Sequence, residues 1–402
     1  MNILVLNCGS SSVKYQLIEV DSQKTMARGG VERIGMDGAT LSNIRYDGDE
    51  IKIAGEIVDH VSAIEYILAV LLSKNHGVIS DKSDIHAIGH RVVHGAETFS
   101  GSVLITDAVI KSIRENFEIA PLHNPHNLRG INACQVSLPG TPQVGVFDTA
   151  FHQQMPRRAF LYGIPYSLYT QYRIRRYGFH GMSHRYVSDR AATLIGKEYA
   201  SLKMVTCHLG NGCSMAAIDH GVSIDTTMGF TPLEGLLMGT RSGDIDPSII
   251  LYIMAKEGIN LSEANTLLNK HSGLQGISGV SSDMREVLKE VKNGDKKAQY
   301  AFDIFCYRIR KYIGAYAAAM GGLDAVIFTG GIGENSPDVR KECCKDLGFL
   351  GIETDDAANE SSDKEKFINT KNGRIKVLVI PTNEELVIAM DTMKIVRELK
   401  PA

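Results

Sequence analysis

The sequence predicts an α/β protein built as two duplicated halves facing a central cleft. Three observations carry this. Short apolar strands alternate with helical stretches along the whole chain, the pattern of α/β folds. Three local devices each occur twice, in the same order. At 402 residues the chain exceeds one ordinary core, so two domains are expected.

The first device is "NILVLNCGSSSVKYQLIEV", Asn2 to Val20. An apolar run stops at a hydroxyl-rich loop, and an alternating run resumes at Val13. It returns as "MVTCHLGNGCSMAAIDHG", Met204 to Gly221. The second device is a strand running into a turn, "IHAIGHRVVHG" (Ile85–Gly95) and "LDAVIFTGGIGEN" (Leu323–Asn335). The third ends a strand near a carboxylate: "PQVGVFDTAFH" at Asp148 and "KVLVIPTNEEL" at Glu384. Helices are expected over Ile57–Lys74, Ser183–Ile195, Pro247–Lys256, Ser262–Lys270, Asp283–Lys292, Asp295–Gly321 and Glu384–Leu399. Ser262, Ser282 and Asp295 read as N-caps, and the polar stretch Asp355–Lys366 as a mobile surface region.

Composition narrows the function. Hydrophobic residues make up 44% and charged residues 22%, as in soluble globular proteins. A net charge of -3 without long charged blocks argues against general nucleic-acid or membrane-surface binding. No apolar run reaches a membrane span, and the four-residue apolar run near the start lacks a basic lead, so no signal peptide is expected. Seven scattered cysteines without a C-x-x-C pair fit a reducing cytoplasm, with Cys343 and Cys344 as ordinary helix residues.

The loops point to phosphate. Glycines with free backbone N–H groups beside small hydroxyls make concave anion sites. Gly210, Gly212, Gly330, Gly331 and Gly333 are where phosphate oxygens could touch backbone, although a tight hairpin has the same composition. Two such loops plus "TGGIGEN" favour a nucleotide polyphosphate held between the halves. No G-x-x-x-x-G-K-[ST] occurs, so this is no P-loop, and the lone G-x-G is a weak dinucleotide signal. Polyphosphate brings Mg2+, for which Asp148 and Glu384 stand at strand ends with Asn7 nearby; Asp148 also reads as a turn cap. Arg91 and Arg241 lie in apolar or glycine-rich runs, where arginine is seldom buried without an anion, a ligand's or a structural partner's. His90 and His94 are four apart, as are His180 and His184, yet neither pair has a third ligand at zinc spacing. "YGFHGMSH" reads as a loop entering a helix, with His180 facing the cleft as a neutral or charged donor and His184 packed in the first turn. "APLHNPHN" places His123 in a loop that walls a small pocket.

With these residues in view, the chain resembles the acetate kinases of the acetate and propionate kinase group. The resemblance runs through "VLNCGSSSVKY", "GHRVVHGAETF", "APLHNPHN", "FDTAFH", "YGFHGMSHRYV", "CHLGNGCS", "DTTMGFTPLEGLLMGTRSGDIDP", "SSDMRE", "FTGGIGEN" and "IPTNEEL". It implies the actin-like fold of sugar kinases and chaperone ATPases, two RNase H-like domains, in agreement with the repeat. It divides the chain into 1–150 plus 384–402 on the acyl side and 151–383 on the nucleotide side. It implies transfer of the γ-phosphoryl of ATP to acetate, with Mg2+ (or Mn2+), and a homodimer. By motif, Asn7, Asp148 and Glu384 resemble the magnesium set, and Ser10, Ser12 and Lys14 the first phosphate loop. Arg91 and Arg241 resemble the substrate and transition-state arginines, and His180 the transition-state histidine. His123 and His208 resemble supporting cleft residues, and Gly210, Asn211 and Gly212 the second phosphate loop. Asp283, Arg285, Gly331, Ile332 and Asn335 resemble the adenosine site, and Val93, Leu122, Phe179 and Pro232 the walls around the acyl methyl. One departure is Ala96, where the group usually has a second glycine after "HG".

A carboxylate is already ionised at neutral pH, so its attack on phosphate needs no strong base. The difficulty is charge, and catalysis is expected to rest on positioning and neutralisation. Asp148 is accordingly expected to orient metal and nucleophile rather than take a proton.

Overall fold

The computed structural model describes residues 1–121 and 123–399. The chain divides into two compact units, Met1–Ala150 with Asn383–Ala402, and Phe151–Thr382.

The first unit is built on β1 (Asn2–Cys8), β2 (Ser12–Glu19), β3 (Lys24–Glu32), β4 (Thr40–Arg45), β5 (Glu50–Ala54), β6 (Ala87–Val92), β7 (Val103–Leu104) and β8 (Gln143–Phe147). They form one sheet in the order β5-β4-β3-β2-β1-β6-β8-β7. The second unit has β9 (Lys203–Leu209), β10 (Cys213–Asp219), β11 (Val222–Thr226), β12 (Ala325–Thr329), β13 (Lys366–Phe367) and β14 (Lys376–Val379), in the order β11-β10-β9-β12-β14-β13.

The two sheets share a pattern. β1 runs antiparallel to β2 and parallel to β6, and β6 runs parallel to β8. β9 runs antiparallel to β10 and parallel to β12, and β12 runs parallel to β14. The order β3-β2-β1-β6-β8 therefore repeats as β11-β10-β9-β12-β14. The three repeated sequence devices are β1–β2 with β9–β10, the ends of β6 and β12, and the ends of β8 and β14. The parallel strands β8 and β12 are buried at every residue, so they read as unbroken apolar runs.

Two glycines bring helices down onto the first sheet. A Cβ on Gly89 would stand 2.5 Å from Ile388 Cγ2, so only glycine lets the helix Glu384–Leu399 lie against β6. A Cβ on Gly130 would stand 2.3 Å from Cys8 Sγ, which fixes the helix Asn124–Ser137 against β1.

The expected helices are present, some shorter and some longer at their ends, as His60–Leu71, Gly181–Ile195, Pro247–Glu257, Leu261–Lys270, Met284–Lys292, Lys296–Met320 and Glu384–Leu399. Two caps differ. Asn260, not Ser262, caps its helix, because its amide oxygen reaches the N–H groups of both Ser262 and Glu263. Asp283, not Ser282, caps the next by accepting from Arg285 N at 2.9 Å. Asp295 caps as expected. Helices Asp107–Glu115 and Asn124–Ser137 escape the sequence pattern, the second because it buries polar Asn124 and Asn127. The stretch expected to be mobile carries a helix, Asp356–Glu360, and buries Asn359. All seven cysteines are buried and free. Among the described residues no helix is long and apolar enough to cross a membrane.

Candidate functional site

In the first unit the site gathers at the carboxyl ends of the parallel strands β1, β6 and β8, where open α/β sheets hold ligands. Arg91 lies on β6 and Asp148 follows β8, and the Asp148 N–H donates to the Val92 carbonyl. The Arg91 guanidinium donates to Asp148 Oδ2 at 2.6 Å and stands 3.6 Å from Glu384 Oε2. Asp148 is 2% exposed, and among the described residues its Oδ1 has no hydrogen-bond partner; neither has the buried Arg91 Nε. Burial alone would lower the Arg91 pKa, but the Asp148 and Glu384 carboxylates turn the shift upward. Burial pushes the Glu384 carboxyl up to about 7, against the pull of Arg91.

Asn7, Lys14, Arg91 and Glu384 line one cavity of ≈ 230 Å³. Asn7 and Lys14 are cross-strand partners on β1 and β2, which sets them side by side. Ser10 is exposed and lines a separate cavity of ≈ 500 Å³ with Asp59, His60 and Arg129. The turn that carries Ser10 and Ser12 is closed by Gly9 N donating to Ser12 O at 2.8 Å. Half-buried Val93 donates its N–H to Asn127 Oδ1 at 3.1 Å, and exposed His123 stands just before the helix Asn124–Ser137. Leu122 lies outside the described residues.

Sequence reasoning missed the frame behind these groups. Asn127 also donates to the Cys8 carbonyl at 3.0 Å, Asn124 Nδ2 donates to the His94 carbonyl at 2.9 Å, and Gly95 N donates to Thr149 Oγ1. One helix thus ties down the ends of β1 and β6. Its only signal was the asparagine-rich "HNPHN". Ala96, the departing position, has φ +47°, a left-handed conformation that glycine adopts at no cost.

In the second unit, Gly210–Gly212 turns between β9 and β10, with Gly210 N donating to the Gly212 carbonyl. A Cβ on Gly212 would stand 3.5 Å from an Arg241 guanidinium nitrogen and 3.7 Å from His180 Nε2. Both side chains therefore border the space that the missing side chain leaves. Arg241 is half-buried, donates to the Pro232 carbonyl at 3.1 Å, and has no carboxylate partner among the described residues. Burial lowers its pKa. His180 precedes the helix Gly181–Ile195 at φ +56°, a sparsely populated conformation for a non-glycine residue. Its ring stacks on His208 at 4.2 Å, and its Nδ1 meets Ser214 Oγ at 2.8 Å. His184 is wholly buried, and burial holds its pKa well below the ordinary value. Phe179 is buried, and its carbonyl accepts from His152 Nε2.

Gly210, Asn211, Asp283, Arg285, Gly331, Ile332 and Asn335 line a single cavity of ≈ 570 Å³. The short helix Gly330–Asn335 on its wall is held from behind by Arg340, which is 1% exposed. Arg340 donates to the Gly333 and Glu334 carbonyls at 2.9 Å each, and to Asn359 Oδ1 at 2.7 Å. Nothing local in "SPDVRKECC" announced that role.

Among the described residues no three His, Cys, Asp or Glu side chains form a metal-binding group. Mg2+ needs less, one or two carboxylates with water completing its shell. The unpartnered buried Asp148 Oδ1, with the Glu384 carboxylate and the Asn7 amide oxygen, is an all-oxygen set that fits it.

Comparison with known proteins gives one picture. The sequence model of the Acetokinase family matches residues 2–390. The chain is 56% identical to the acetate kinase of Halothermothrix orenii over 98% of its length and 100% of that protein. It is 55% identical to the acetate kinase of Pseudothermotoga lettingae over 100% of both chains. Among solved structures, Porphyromonas gingivalis acetate kinase superposes with a TM-score of 0.96 at 48% identity, covering 98% of this chain and 99% of that one. A propionate kinase from Francisella tularensis superposes with a TM-score of 0.91 at 44% identity, covering 98% and 99%.

Proposed function

We propose a role for each part of the site on one premise: the chain belongs to the acetokinase family. It is an enzyme, a phosphotransferase with a carboxyl acceptor, and the family reaction makes acetyl phosphate and ADP from acetate and ATP. We infer that transfer is direct, in line and reversible.

The observation that supports the roles best is a half-buried guanidinium, Arg241, with no carboxylate partner among the described residues, beside the Gly212 backbone and His180 Nε2. An uncompensated cation of this kind fits phosphoryl oxygens, which gain charge stabilisation as they approach the transition state. Arg241 neutralises the equatorial oxygens, and His180 donates a hydrogen bond to them. The Gly210–Gly212 turn, with His208 behind it, follows the phosphates. The cavity lined by Asp283, Arg285, Gly331, Ile332 and Asn335 takes the adenosine. Ser10, Ser12 and Lys14 assist from the β1–β2 turn and the start of β2.

On the acyl side, half-buried Arg91 takes the acetate carboxylate. On the family resemblance, Val93, Leu122, His123, Phe179 and Pro232 are the residues assigned to the acyl methyl. Asn7, Asp148 and Glu384 would hold Mg2+, which when bound draws charge from the phosphate oxygens. Asp148, already paired with Arg91, orients rather than abstracts. Asp148→Asn retaining most activity at fixed Mg2+ would refute that role. The residues 1–150 with 384–402 form the acyl domain, and 151–383 the nucleotide domain.

The helix Pro247–Glu257 buries none of its residues and leaves Leu251 and Tyr252 68% and 64% exposed. Its apolar surface supports a homodimer, for which light scattering should give twice 43.9 kDa. Seven free thiols fit the cytoplasm, which cell fractionation tests.

The deciding experiment traps acyl phosphate with hydroxylamine, using ATP, Mg2+ and acetate, propionate or butyrate. Acetate is expected to give the highest kcat/KM, with activity lost in EDTA and restored by Mg2+. Propionate in first place would overturn the pocket assignment. ATP turnover without acyl phosphate would overturn the reaction.

A further inference from the structure

We infer that Thr206, His184 and Ser214 form a hydroxyl–imidazole chain that fixes His180 as its Nε2–H tautomer. The inference rests on the reading above, in which His180 donates to the transferring phosphoryl group.

Three contacts define the chain. Thr206 Oγ1 lies 2.7 Å from His184 Nδ1, His184 Nε2 lies 2.7 Å from Ser214 Oγ, and Ser214 Oγ lies 2.8 Å from His180 Nδ1. Thr206, His184 and Ser214 are each 0% exposed, so water does not supply their partners from bulk. Burial also keeps the His184 ring neutral. A neutral imidazole has a single N–H, and a hydroxyl a single O–H. The chain is therefore polarised in one of two directions, unless Ser214 accepts from both rings and leaves its own buried hydrogen without an acceptor.

In one direction the protons point away from the site. His180 Nδ1–H donates to Ser214, Ser214 donates to His184 Nε2, and His184 Nδ1–H donates to Thr206. The Thr206 hydroxyl hydrogen is then left over. Among the described residues the Thr206 side chain has no hydrogen-bond partner except His184. In the other direction Thr206 donates to His184 Nδ1, His184 Nε2–H donates to Ser214, and Ser214 donates to His180 Nδ1. The fourth proton then sits on His180 Nε2, on a half-buried ring, rather than on the wholly buried Thr206 hydroxyl. A buried donor without an acceptor disfavours the first arrangement by about tenfold or more.

The consequence reaches the reacting group. With Nδ1 of His180 accepting, the ring carries its proton on Nε2. That atom stands 3.7 Å from where a Gly212 Cβ would be, close to Arg241. The chain thus presents an N–H, not a lone pair, to an incoming anionic oxygen. Thr206, His184 and Ser214 touch no substrate in this scheme; they are positioning residues acting through His180.

The test is long-range 1H–15N NMR on the full-length enzyme labelled with 15N-histidine, with the His180 signals assigned by their loss in His180→Gln. The wild type is expected to show His180 protonated on Nε2. Thr206→Val, which keeps the shape and removes the donor, should move His180 towards Nδ1–H and lower kcat about tenfold with little change in KM. Thr206→Ser should restore the wild-type tautomer. Ser214→Ala, which removes the last link, should move it as well. A wild-type His180 protonated on Nδ1, or a Thr206→Val enzyme still holding Nε2–H, would overturn the chain. A shifted tautomer with unchanged kcat would uphold the chain and overturn the donor role of His180.

Discussion

Replacing Arg241 with methionine is expected to separate catalysis from stability. The guanidinium is half-buried, its pKa is lowered by burial, and its donor contacts are the Pro232 carbonyl at 3.1 Å and a sulfur, with no carboxylate among the described residues. The folded enzyme therefore bears a desolvation cost that no internal counter-charge offsets. A phosphoryl oxygen about 4 Å away recovers roughly 4 kcal/mol at an effective dielectric constant of about 20. Part of that is present in bound ATP. The share gained only in the transition state is about 2.7–4 kcal/mol, by analogy with a lost oxyanion donor. Arg241→Met should therefore lower kcat by about 10²–10³ while KM moves little. Its melting temperature should stay level or rise, since a cation without a counter-charge has been removed. Arg91→Met makes the contrast. It leaves Asp148, 2% exposed, without its guanidinium and should destabilise by about 3–5 kcal/mol. Initial rates from the hydroxamate assay, over a grid of ATP and acetate, with a thermal melt alongside, decide the matter. A rise in KM with kcat intact would make Arg241 a plain binding residue. A melting temperature lowered by several degrees would make it a structural one.

Three more expectations follow from the geometry. Val93→Ala opens space beside the Asn127-anchored strand end, and one methylene is worth about 1–3 kcal/mol, so the propionate-to-acetate ratio of kcat/KM should rise about tenfold; an unchanged ratio would show that another wall sets acyl size. Gly239→Ala would set a Cβ 1.9 Å from Asn211 Oδ1, on the wall of the cavity proposed for the nucleotide; it should raise KM for ATP about tenfold, and an unchanged KM would detach Asn211 from nucleotide binding. His90 and His152 are each held down to about 4 by burial, below the ordinary value of 6.5. Their stabilisation is complete above about 6.5 and is lost as pH falls towards 4, by about 3 kcal/mol each at the limit. A urea midpoint that stays flat between about pH 6.5 and 4 would contradict it.

The repeated devices were legible in the chain because each is local. An apolar run of fixed length, a glycine turn and a second run dictate strand, loop and strand with no information from elsewhere. The same holds for the long helices and for "GNGCS" as a turn without side chains in the way. Arg91, Asp148, Glu384, His180 and Arg241 could also be singled out in the chain, since polar and charged residues in apolar or glycine-rich runs need a reason. Their partners were not. Arg91 finds Asp148 because β6 lies beside β8, and Glu384 because Gly89 admits the last helix. Asn127 reaches Cys8 across 119 residues of chain, and Thr206, His184 and Ser214 come from two strands and a helix. Arg340 behind the Gly330–Asn335 wall, and Asn359 beneath it, look like ordinary surface residues when read in line. Hydrogen bonds and ion pairs act over about 3 Å, and only strand order and helix packing decide which distant side chains come that close.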